Sequence, residues 1–478
     1  MGVIDGKGFI TRINQMDTEI WFDGKKVEGM ISEHHAFKGL IQTTSSLYDL
    51  QNKPQLKNEM TFSVQGKKDS YGLSYLQPKT KKDLERRRKM IENWARHTHG
   101  MVGRSPDYMN TVIMSYASSA ELLKGKENCF PENIQSLYER ARNEDLSFTH
   151  TFITPQVNRS QINLGCSGEP VSAKVVDKNN KGIVIKGARL LATQGGLTDE
   201  LLVYTTPRMF FDSDEAFAFS IPSDTEGLKF ICRESFVGGK SAFDHPLSSK
   251  YEEMDSIVVF DNVLVPWEKV FFYGNEDAAT DFKLQSSFHS FAYHQVIIRQ
   301  IVKTEFILGI AQLLVDTINI GEYQHIHEKL SEIIIGLETL KALLVKSERD
   351  AKVDEWGIMR PSLIPLQVSG NIFPKIYPRF CEIIQMIGAS GMITLPTEKA
   401  LKSHIGKDID KYLQGYNRSA VERTKIFRLA WDLTMSPFGT RQTQYERFFF
   451  GDPVRLSSYL YKNYPNKNIN DIKNFLNL

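Results

Sequence analysis

The segment GIVIKGARLLATQGGLTDELLVYTT, residues 182–206, decides the fold class of this 478-residue chain. It contains two short apolar runs that are rich in β-branched residues, and a turn sequence with Gly195 and Gly196 separates them. Short runs bounded by turn-forming residues are typical of β-strands. Further runs of the same kind occur in AFAFSIP, LKFICRES and SIVVFDNVLV, without helical segments between them. The pattern predicts an antiparallel sheet domain, a barrel or a sandwich, rather than a parallel doubly wound sheet.

The chain has a helical character on both sides of this region. Apolar residues recur at helical spacing in DLERRRKMIENWARHTHG, residues 83–100, which ends at a glycine. Longer amphipathic patterns occur at residues 289–320 and 326–353, and several long helices in series favour a bundle. The sequence therefore predicts an α+β protein with three domains. These are an N-terminal helical domain at 1–145, a β-domain at 146–272, and a C-terminal helical bundle with a tail at 273–478.

Bulk properties exclude several classes of function. A net charge of +2 provides no strong field for nucleic acid or an acidic membrane. No apolar run approaches the ~20 residues that span a bilayer, and the first residues do not resemble a signal peptide. The sequence therefore predicts a cytoplasmic protein with neither a nucleic-acid nor a membrane partner.

The sequence also predicts no metal site. Its four cysteines are far apart and form no CxxC motif, so they match neither common metal sites nor a disulfide framework. His289 and His294 are five residues apart and miss the i, i+4 spacing of a helical metal pair. No dinucleotide fingerprint, P-loop or GxSxG motif is present.

The joint between two predicted helices, GRSPDYMN at residues 103–110, is unusually rich in functional groups. Pro106 can start a turn and restrains Ser105 to non-helical angles, so a capped helix–helix turn is one interpretation. A polar socket is the other, because Arg104 offers a fixed fork of donors and Tyr108 a hydroxyl group. The joint by itself favours the turn.

A second candidate is FTHTFITPQVNR, residues 148–159, at the boundary between the helical and strand regions. His150 can accept a proton from a weak acid near neutral pH, or it can be a hydrogen-bonded structural histidine. Gln156, Asn158 and Arg159 suit a flat heterocycle with a phosphate, and they equally suit a solvated strand. A third candidate is YERFFFGDPVR, residues 445–455, which is either a ligand lid or a hydrophobic interface.

Six blocks of this sequence resemble, in order and spacing, the oxygenase components of 4-hydroxyphenylacetate 3-monooxygenases, a family of two-component flavin monooxygenases that use FADH2. The blocks are HGMVGRSPDYMN, FTHTFITPQVNR, ATQGGLTDELLVY, IVVFDNVLVPWEKVFFYG, IIQMIGASGMITLP and YERFFFGDPVR. The early segment EHHAFKGLIQTTSSLYDLQ is also similar, so the resemblance covers nearly the whole chain.

The resemblance implies an acyl-CoA-dehydrogenase-like fold with an N-terminal helical domain, a middle antiparallel β-barrel and a C-terminal four-helix bundle. It implies a homotetramer arranged as a dimer of dimers. The implied reaction is the ortho-hydroxylation of a phenol, most directly of 4-hydroxyphenylacetate to 3,4-dihydroxyphenylacetate, through a flavin C4a-hydroperoxide. The cofactor is FAD as FADH2, O2 is the co-substrate, and a separate NAD(P)H-dependent flavin reductase supplies the reduced flavin.

The resemblance also assigns residues to roles. Arg104, Tyr108 and His150 match the catalytic positions: His150 draws off the phenol proton, Arg104 stabilises the oxyanion and Tyr108 orients it. The expected substrate-binding residues are these three with Ser105, Pro106, Asp107, Thr205 and Thr206. The expected flavin-binding residues are His150, Gln156, Val157, Asn158, Arg159, Thr193, Gly451, Asp452, Pro453 and Val454, and the resemblance allows the last four to reach the flavin from a neighbouring subunit. The loop at 204–217 is expected to exclude water.

Three alternatives stay open. Related monooxygenases act on chlorophenols or on tyrosine derivatives and share the oxygen-activating residues. A 4-hydroxybutyryl-CoA dehydratase needs cysteine ligands for its [4Fe–4S] cluster, and WARHTHGM and the segment around His289 and His294 contain none. A non-catalytic scaffold with the same fold predicts that no flavin binds.

Overall fold

The computed structural model describes residues 2–64, 66–67, 69–155, 170–205, 212–239, 241–465 and 467–478. Its α-helices are α1 Gly6–Gln15, α2 Lys38–Asn52, α3 Lys57–Met60, α4 Lys81–His97, α5 Pro106–Ser118, α6 Pro131–Glu144, α7 Ser248–Tyr251, α8 Glu276–Leu284, α9 Phe288–Ile318, α10 Gln324–Arg349, α11 Leu363–Gly388, α12 Glu398–Leu401, α13 Gly406–Tyr412, α14 Ala420–Thr434, α15 Pro437–Phe448, α16 Pro453–Asn463 and α17 Lys467–Leu476. Its strands are β1 Glu19–Phe22, β2 Lys25–Lys26, β3 Thr61–Ser63, β4 Ser70–Gly72, β5 Phe148–Thr151, β6 Lys174–Lys178, β7 Gly182–Thr193, β8 Glu200–Tyr204, β9 Phe217–Pro222, β10 Leu228–Cys232, β11 Asp255–Pro266, β12 Val270–Tyr273, β13 Lys352–Val353 and β14 Met359–Arg360.

The strand region forms two principal sheets. One sheet has the order β2-β1-β10-β11-β7-β6, and the other has the order β12-β9-β8-β5. Most neighbouring strands are antiparallel, but β1 pairs with β10 and β5 pairs with β8 in parallel. The sheets meet at an isolated bridge between Ile153 and Leu190. The predicted α+β class is confirmed. The described strands form these two sheets and two small two-stranded sheets, β3-β4 and β13-β14, and no closed barrel.

The N-terminal part of the chain contributes to the strand region. Trp21 in β1 lies opposite Ile231 in β10, and β2 adds an outer strand. This pairing joins residues that are about two hundred positions apart, which local periodicity does not encode. The three domain limits stay a prediction.

Helix α9 is the long axis of the helical region. Its first half, from Phe288 to Thr304, is buried on almost every side, and it packs against α4, α5, α10 and α11. A helix that is buried all round lies inside the protein rather than on its surface. Helix α15 packs against α11 and α14 and carries its last turn towards the joint between α4 and α5.

The C-terminal helices have a different character. Helix α16 has no buried residue, and the exposed fractions of Tyr461 and Phe475 are 82% and 83%. Among the described helices, none combines the length and the apolar composition that a bilayer crossing requires.

Candidate active site

The joint between α4 and α5 is folded tightly against α15. Helix α4 begins with a capping box between Thr80 and Asp83, and α5 begins with Pro106 as its first residue. A Cβ atom on Gly103 would lie 2.3 Å from the ring of Tyr445, so only glycine permits this approach. The packing places Tyr445 directly beside Arg104.

Glu253 fixes the backbone of the joint. Its fully buried carboxylate accepts hydrogen bonds from the backbone N–H groups of Gly103 at 2.9 Å and Arg104 at 2.7 Å. Gln194 donates to the Arg104 carbonyl at 3.1 Å and to Glu253 at 3.0 Å. Arg441 lies 3.5 Å from the same carboxylate. Since these groups occupy Glu253, the carboxylate positions the Arg104 backbone without capturing its side chain.

The Arg104 guanidinium is enclosed by aromatic rings. Its Cζ atom lies 4.5 Å from the ring centre of Tyr108, 4.4 Å from that of Phe449 and 5.6 Å from that of Tyr445. Within the described ranges, its buried Nε and Nη1 atoms have no hydrogen-bond acceptor. Buried donors of this kind are rarely left unsatisfied in a folded protein. The guanidinium is therefore suited to receive an anion or an oxygen atom from a ligand.

His150 joins this cluster from β5. Its ring makes an edge contact with Tyr108 at 5.9 Å between centres, and its Nδ1 atom lies 3.3 Å from the Tyr204 hydroxyl. The buried Nε2 atom has no partner among the described residues. Burial, reinforced by the charges of Arg104 and Lys283, lowers the pKa of His150 well below its usual value. His150 is therefore neutral at physiological pH and can accept a proton.

The side chains of Ser105 and Asp107 form hydrogen bonds within the protein. The Ser105 hydroxyl donates to Asp107 at 2.5 Å, and Gln295 of α9 donates to the other carboxylate oxygen at 3.0 Å. Asp107 is fully buried, and burial raises its pKa. These bonds tie the first turn of α5, including Pro106, to α9. Substrate contact by these three residues stays a prediction.

Thr193 belongs to a second polar cluster next to the joint. Its hydroxyl donates to Asp255 at 2.9 Å, and its carbonyl accepts a bond from Thr149 at 2.5 Å. Arg441 donates twice to Asp255 at 2.7 Å, and Arg233 donates at 3.1 Å. Although burial opposes the shift, these arginines lower the pKa of Asp255 to about 2. The cluster links β7 and β11 to α15.

The remaining predicted residues are less central. Thr205 is buried, and its hydroxyl donates to the backbone carbonyl of Glu215. Gly451 has a φ of +109°, and Asp452 caps α16 by accepting a bond from the Val454 N–H at 3.2 Å. Val454 is 74% exposed, and no described ring contact or hydrogen bond joins Gly451, Asp452, Pro453 or Val454 to Arg104 or His150. The flavin role of these four residues stays a prediction.

Several predicted positions lie outside the described residues. They are Gln156, Val157, Asn158, Arg159 and residues 206–211, which include Thr206 and part of the proposed water-excluding loop.

The structure adds aromatic and cationic residues that the motifs did not single out individually. Tyr445 and Phe449 come from the segment that was expected to be a lid or an interface, and they contact Arg104. Phe152 and Tyr204 surround His150 with ring centres at 5.3 and 5.8 Å. Lys283 of α8 lies behind these rings, and no sequence pattern indicated it.

The chain is similar to known proteins over almost its whole length. Family models for 4-hydroxyphenylacetate 3-hydroxylase match residues 5–272 with the N-terminal part and residues 279–477 with the C-terminal part. A Bacillus subtilis protein described as a probable 4-hydroxyphenylacetate 3-monooxygenase is 68% identical over 100% of this chain and 99% of its own. The oxygenase component of 4-hydroxyphenylacetate 3-monooxygenase from Thermus thermophilus is 43% identical over 96% of this chain and 94% of its own.

A solved structure extends the comparison to ligands. The crystal structure of the oxygenase component of 4-hydroxyphenylacetate 3-monooxygenase, complexed with FAD and 4-hydroxyphenylacetate, is 42% identical to this chain. It has a TM-score of 0.94 and covers 99% of this chain and 98% of its own. The resemblance found in the motifs is confirmed, and the chain belongs to the 4-hydroxyphenylacetate 3-hydroxylase family.

Proposed function

We propose that this protein is an FADH2-utilising monooxygenase, the oxygenase component of a two-component system, that ortho-hydroxylates 4-hydroxyphenylacetate to 3,4-dihydroxyphenylacetate. The observation that carries the proposal is the buried pair of Arg104 and His150. In the described part of the chain, Arg104 has two unbonded N–H donors and His150 has an unbonded ring nitrogen. These groups suit an aromatic hydroxyl group that must lose its proton.

His150 is assigned as the base of the reaction. In this assignment Nδ1 carries a proton and donates it to the Tyr204 hydroxyl, which leaves Nε2 free to accept the phenol proton. Loss of that proton makes the aromatic ring more electron-rich, which favours attack by an electrophilic oxygen. Arg104 stabilises the resulting phenolate, and Tyr108 orients it. Removing one such donor typically costs about 3 kcal/mol in the transition state.

The same residues fit a flavin. The unbonded donors of Arg104 and the unbonded ring nitrogen of His150 lie beside the flat rings of Tyr108, Tyr445 and Phe449, which form a surface suited to an aromatic heterocycle. Reduced FAD, when bound, supplies the electrons that activate O2. Of the other proposed flavin contacts, Thr193 is buried at the edge of this site. Residues 156–159 and 451–454 complete the proposed set.

The wider organisation is part of the proposal. We infer an acyl-CoA-dehydrogenase-like arrangement with domains at 1–145, 146–272 and 273–478, a barrel-like middle domain and a C-terminal four-helix bundle. The packing of α9, α10, α11 and α14 supports the bundle. A homotetramer would cover the exposed apolar residues of α16 and α17, such as Tyr461 and Phe475. A separate flavin reductase would deliver FADH2 by diffusion in the cytoplasm.

The test is a single-turnover reaction. Protein mixed anaerobically with FADH2 is exposed to O2 with 4-hydroxyphenylacetate, and 3,4-dihydroxyphenylacetate and H2O2 are quantified. The expected result is one catechol for most flavins oxidised, with little H2O2. Phenylacetate, which lacks the hydroxyl group, is the control and should yield only H2O2. Flavin oxidation at the rate seen in free solution, without any hydroxylated product, would overturn the proposal.

A further inference from the structure

Lys283 is a cation that the proposed reaction does not use. It lies near the end of α8, and its Nζ atom is 4.0 Å from the ring centre of Phe288, 5.2 Å from that of Tyr204 and 5.4 Å from that of Phe152. Aromatic faces attract a cation but cannot neutralise its charge. The ammonium group is therefore held in place while its charge stays uncompensated.

No carboxylate compensates this charge in the described part of the chain. Asp281, an acid on the same helix, contacts Lys126 instead. Arg104, His150 and His289 interact electrostatically with Lys283, and none of them is acidic. Burial, reinforced by the charge of Arg104, lowers the pKa of Lys283 to about 7. A bound anion would favour the protonated form again, because opposite charges stabilise each other.

Lys283 adjoins the site of the phenol through two shared rings. Phe152 and Tyr204 stack on each other at 5.1 Å, and both rings also contact His150, at 5.3 and 5.8 Å between centres. The same two rings contact the Lys283 ammonium group. A ligand held at Arg104 and His150 therefore has an aromatic wall that leads towards a second cation.

Two donors were expected at the far end of the substrate, Thr205 and Thr206, and of these only Thr205 belongs to the described residues. The Thr205 hydroxyl donates its single proton to the Glu215 carbonyl, so it cannot donate to a carboxylate while that bond persists. Thr205 in this conformation therefore does not supply the hydrogen bond to a substrate carboxylate, whereas Lys283 offers a cation beside the same rings.

We propose that Lys283 is a specificity-determining residue that forms an ion pair with the carboxylate of a phenolic acid substrate. Arg104 then receives the phenol oxygen at one end and Lys283 the carboxylate at the other. This inference rests on the proposed function and adds the substrate class: phenols with a carboxylate are preferred over neutral phenols. The contrasting interpretation is that Lys283 only packs against the aromatic rings.

The test compares two substrates in Lys283→Met and Lys283→Arg. Dissociation constants for 4-hydroxyphenylacetate and for neutral 2-(4-hydroxyphenyl)ethanol are measured by equilibrium dialysis on anaerobic, FADH2-loaded protein, and KM and kcat are measured in air. For the acid, we expect Lys283→Met to raise Kd and KM by about 10- to 100-fold, as for loss of a hydrogen bond to a charged group. For the neutral alcohol the change should be smaller than about threefold, and Lys283→Arg should recover most of the binding of the acid.

Lys126→Met is the matched control, since it removes a lysine that contacts α8 outside the aromatic wall. It should leave the ratio of the two Kd values unchanged. An equal loss for both substrates in Lys283→Met, or no loss for either, would overturn the ion pair and favour the packing role. This failure is distinct from failure of the proposed function, in which the unaltered protein hydroxylates neither phenol. Thermal unfolding of each variant shows whether a general loss of structure explains a loss of binding.

Discussion

Two buried clusters of positive charge adjoin neighbouring residues of α15, and an arginine of each lies over the ring of Phe449. In the first cluster, Glu446 accepts two bonds from Arg299, at 2.6 and 3.0 Å, and one from Lys303 at 2.8 Å. In the second cluster, Tyr445 contacts Arg104, whose guanidinium has unbonded donors in the described structure. The first cluster contains its own carboxylate, whereas the side chain of Arg104 forms no ion pair with the described residues.

The difference separates a structural role from a functional one. A buried charge without a partner is costly, so a protein keeps it only where something else supplies the counter-charge. The Glu446 cluster links α9 to α15 and needs no ligand. In the described part of the chain neither the Arg104 guanidinium nor Lys283 forms an ion pair, and Glu253 beside the joint is already occupied by backbone N–H groups and Arg441, so this is the cluster that we propose a substrate completes.

Glu446→Gln should have the largest effect on stability. It leaves the buried charges of Arg299 and Lys303 without their carboxylate, and removing one partner of a buried ion pair costs about 3–5 kcal/mol. We expect the free energy of unfolding in urea to fall by that amount. Glu332→Gln is the control, because it removes the partner of Arg379 in a more exposed ion pair and should cost at most about 1 kcal/mol. Equal decreases in the free energy of unfolding for Glu446→Gln and Glu332→Gln would contradict the structural role assigned to the Glu446 cluster.

Arg104→Met should show the opposite pattern. Hydroxylation in a single turnover should slow by about 100-fold or more, which corresponds to the loss of one transition-state donor. The free energy of unfolding should change by no more than about 1 kcal/mol, because an unpaired buried charge is removed together with its aromatic contacts. A variant that unfolds as readily as Glu446→Gln while retaining its rate would show that Arg104 is structural.

The acid dependence of stability should also distinguish the clusters. Although burial opposes the shift, Arg299 and Lys303 lower the pKa of Glu446 to about 2. A carboxyl group whose pKa is lower in the folded protein contributes its full stability above its unfolded pKa, and it loses that contribution as the pH falls towards the folded pKa. The difference in unfolding free energy between the unaltered protein and Glu446→Gln should therefore shrink between about pH 5 and pH 2. A constant difference across this range would contradict the assignment.

The smallest expected effect is the pH response of the hydroxylation step. Burial and the charges of Arg104 and Lys283 lower the pKa of His150. The imidazole should therefore stay neutral at pH values well below 6.5, the ordinary pKa of a histidine. With saturating substrate, the single-turnover rate should change by less than about twofold between pH 7.5 and 6. A histidine of ordinary pKa would lose more than half of its neutral form over this interval, and that result would refute the shift.

The sequence reached the outline of the fold because the relevant signals are local. Alternating and apolar runs marked the strands from Gly182 to Pro266, and the joint at 103–110 stood out through its own composition. It did not predict the strand pair between Trp21 and Ile231, and it left a barrel and a sandwich open where the described strands form two principal sheets. Pairing between distant strands depends on register and packing, which short windows do not specify.

The sequence by itself determined the α+β class, the family, and the roles expected of Arg104, Tyr108 and His150. Only the tertiary structure showed that Tyr445 and Phe449 enclose Arg104, and that Lys283 lies behind the rings that contact His150. It also showed that Asp107 and Thr205 form hydrogen bonds with other groups of the protein. The physical reason is that a side chain's identity is local, whereas many of its partners come from distant segments, such as Gln295 for Asp107. Whether a buried charge is neutralised by the protein or left for a ligand is therefore decided only when those segments pack together.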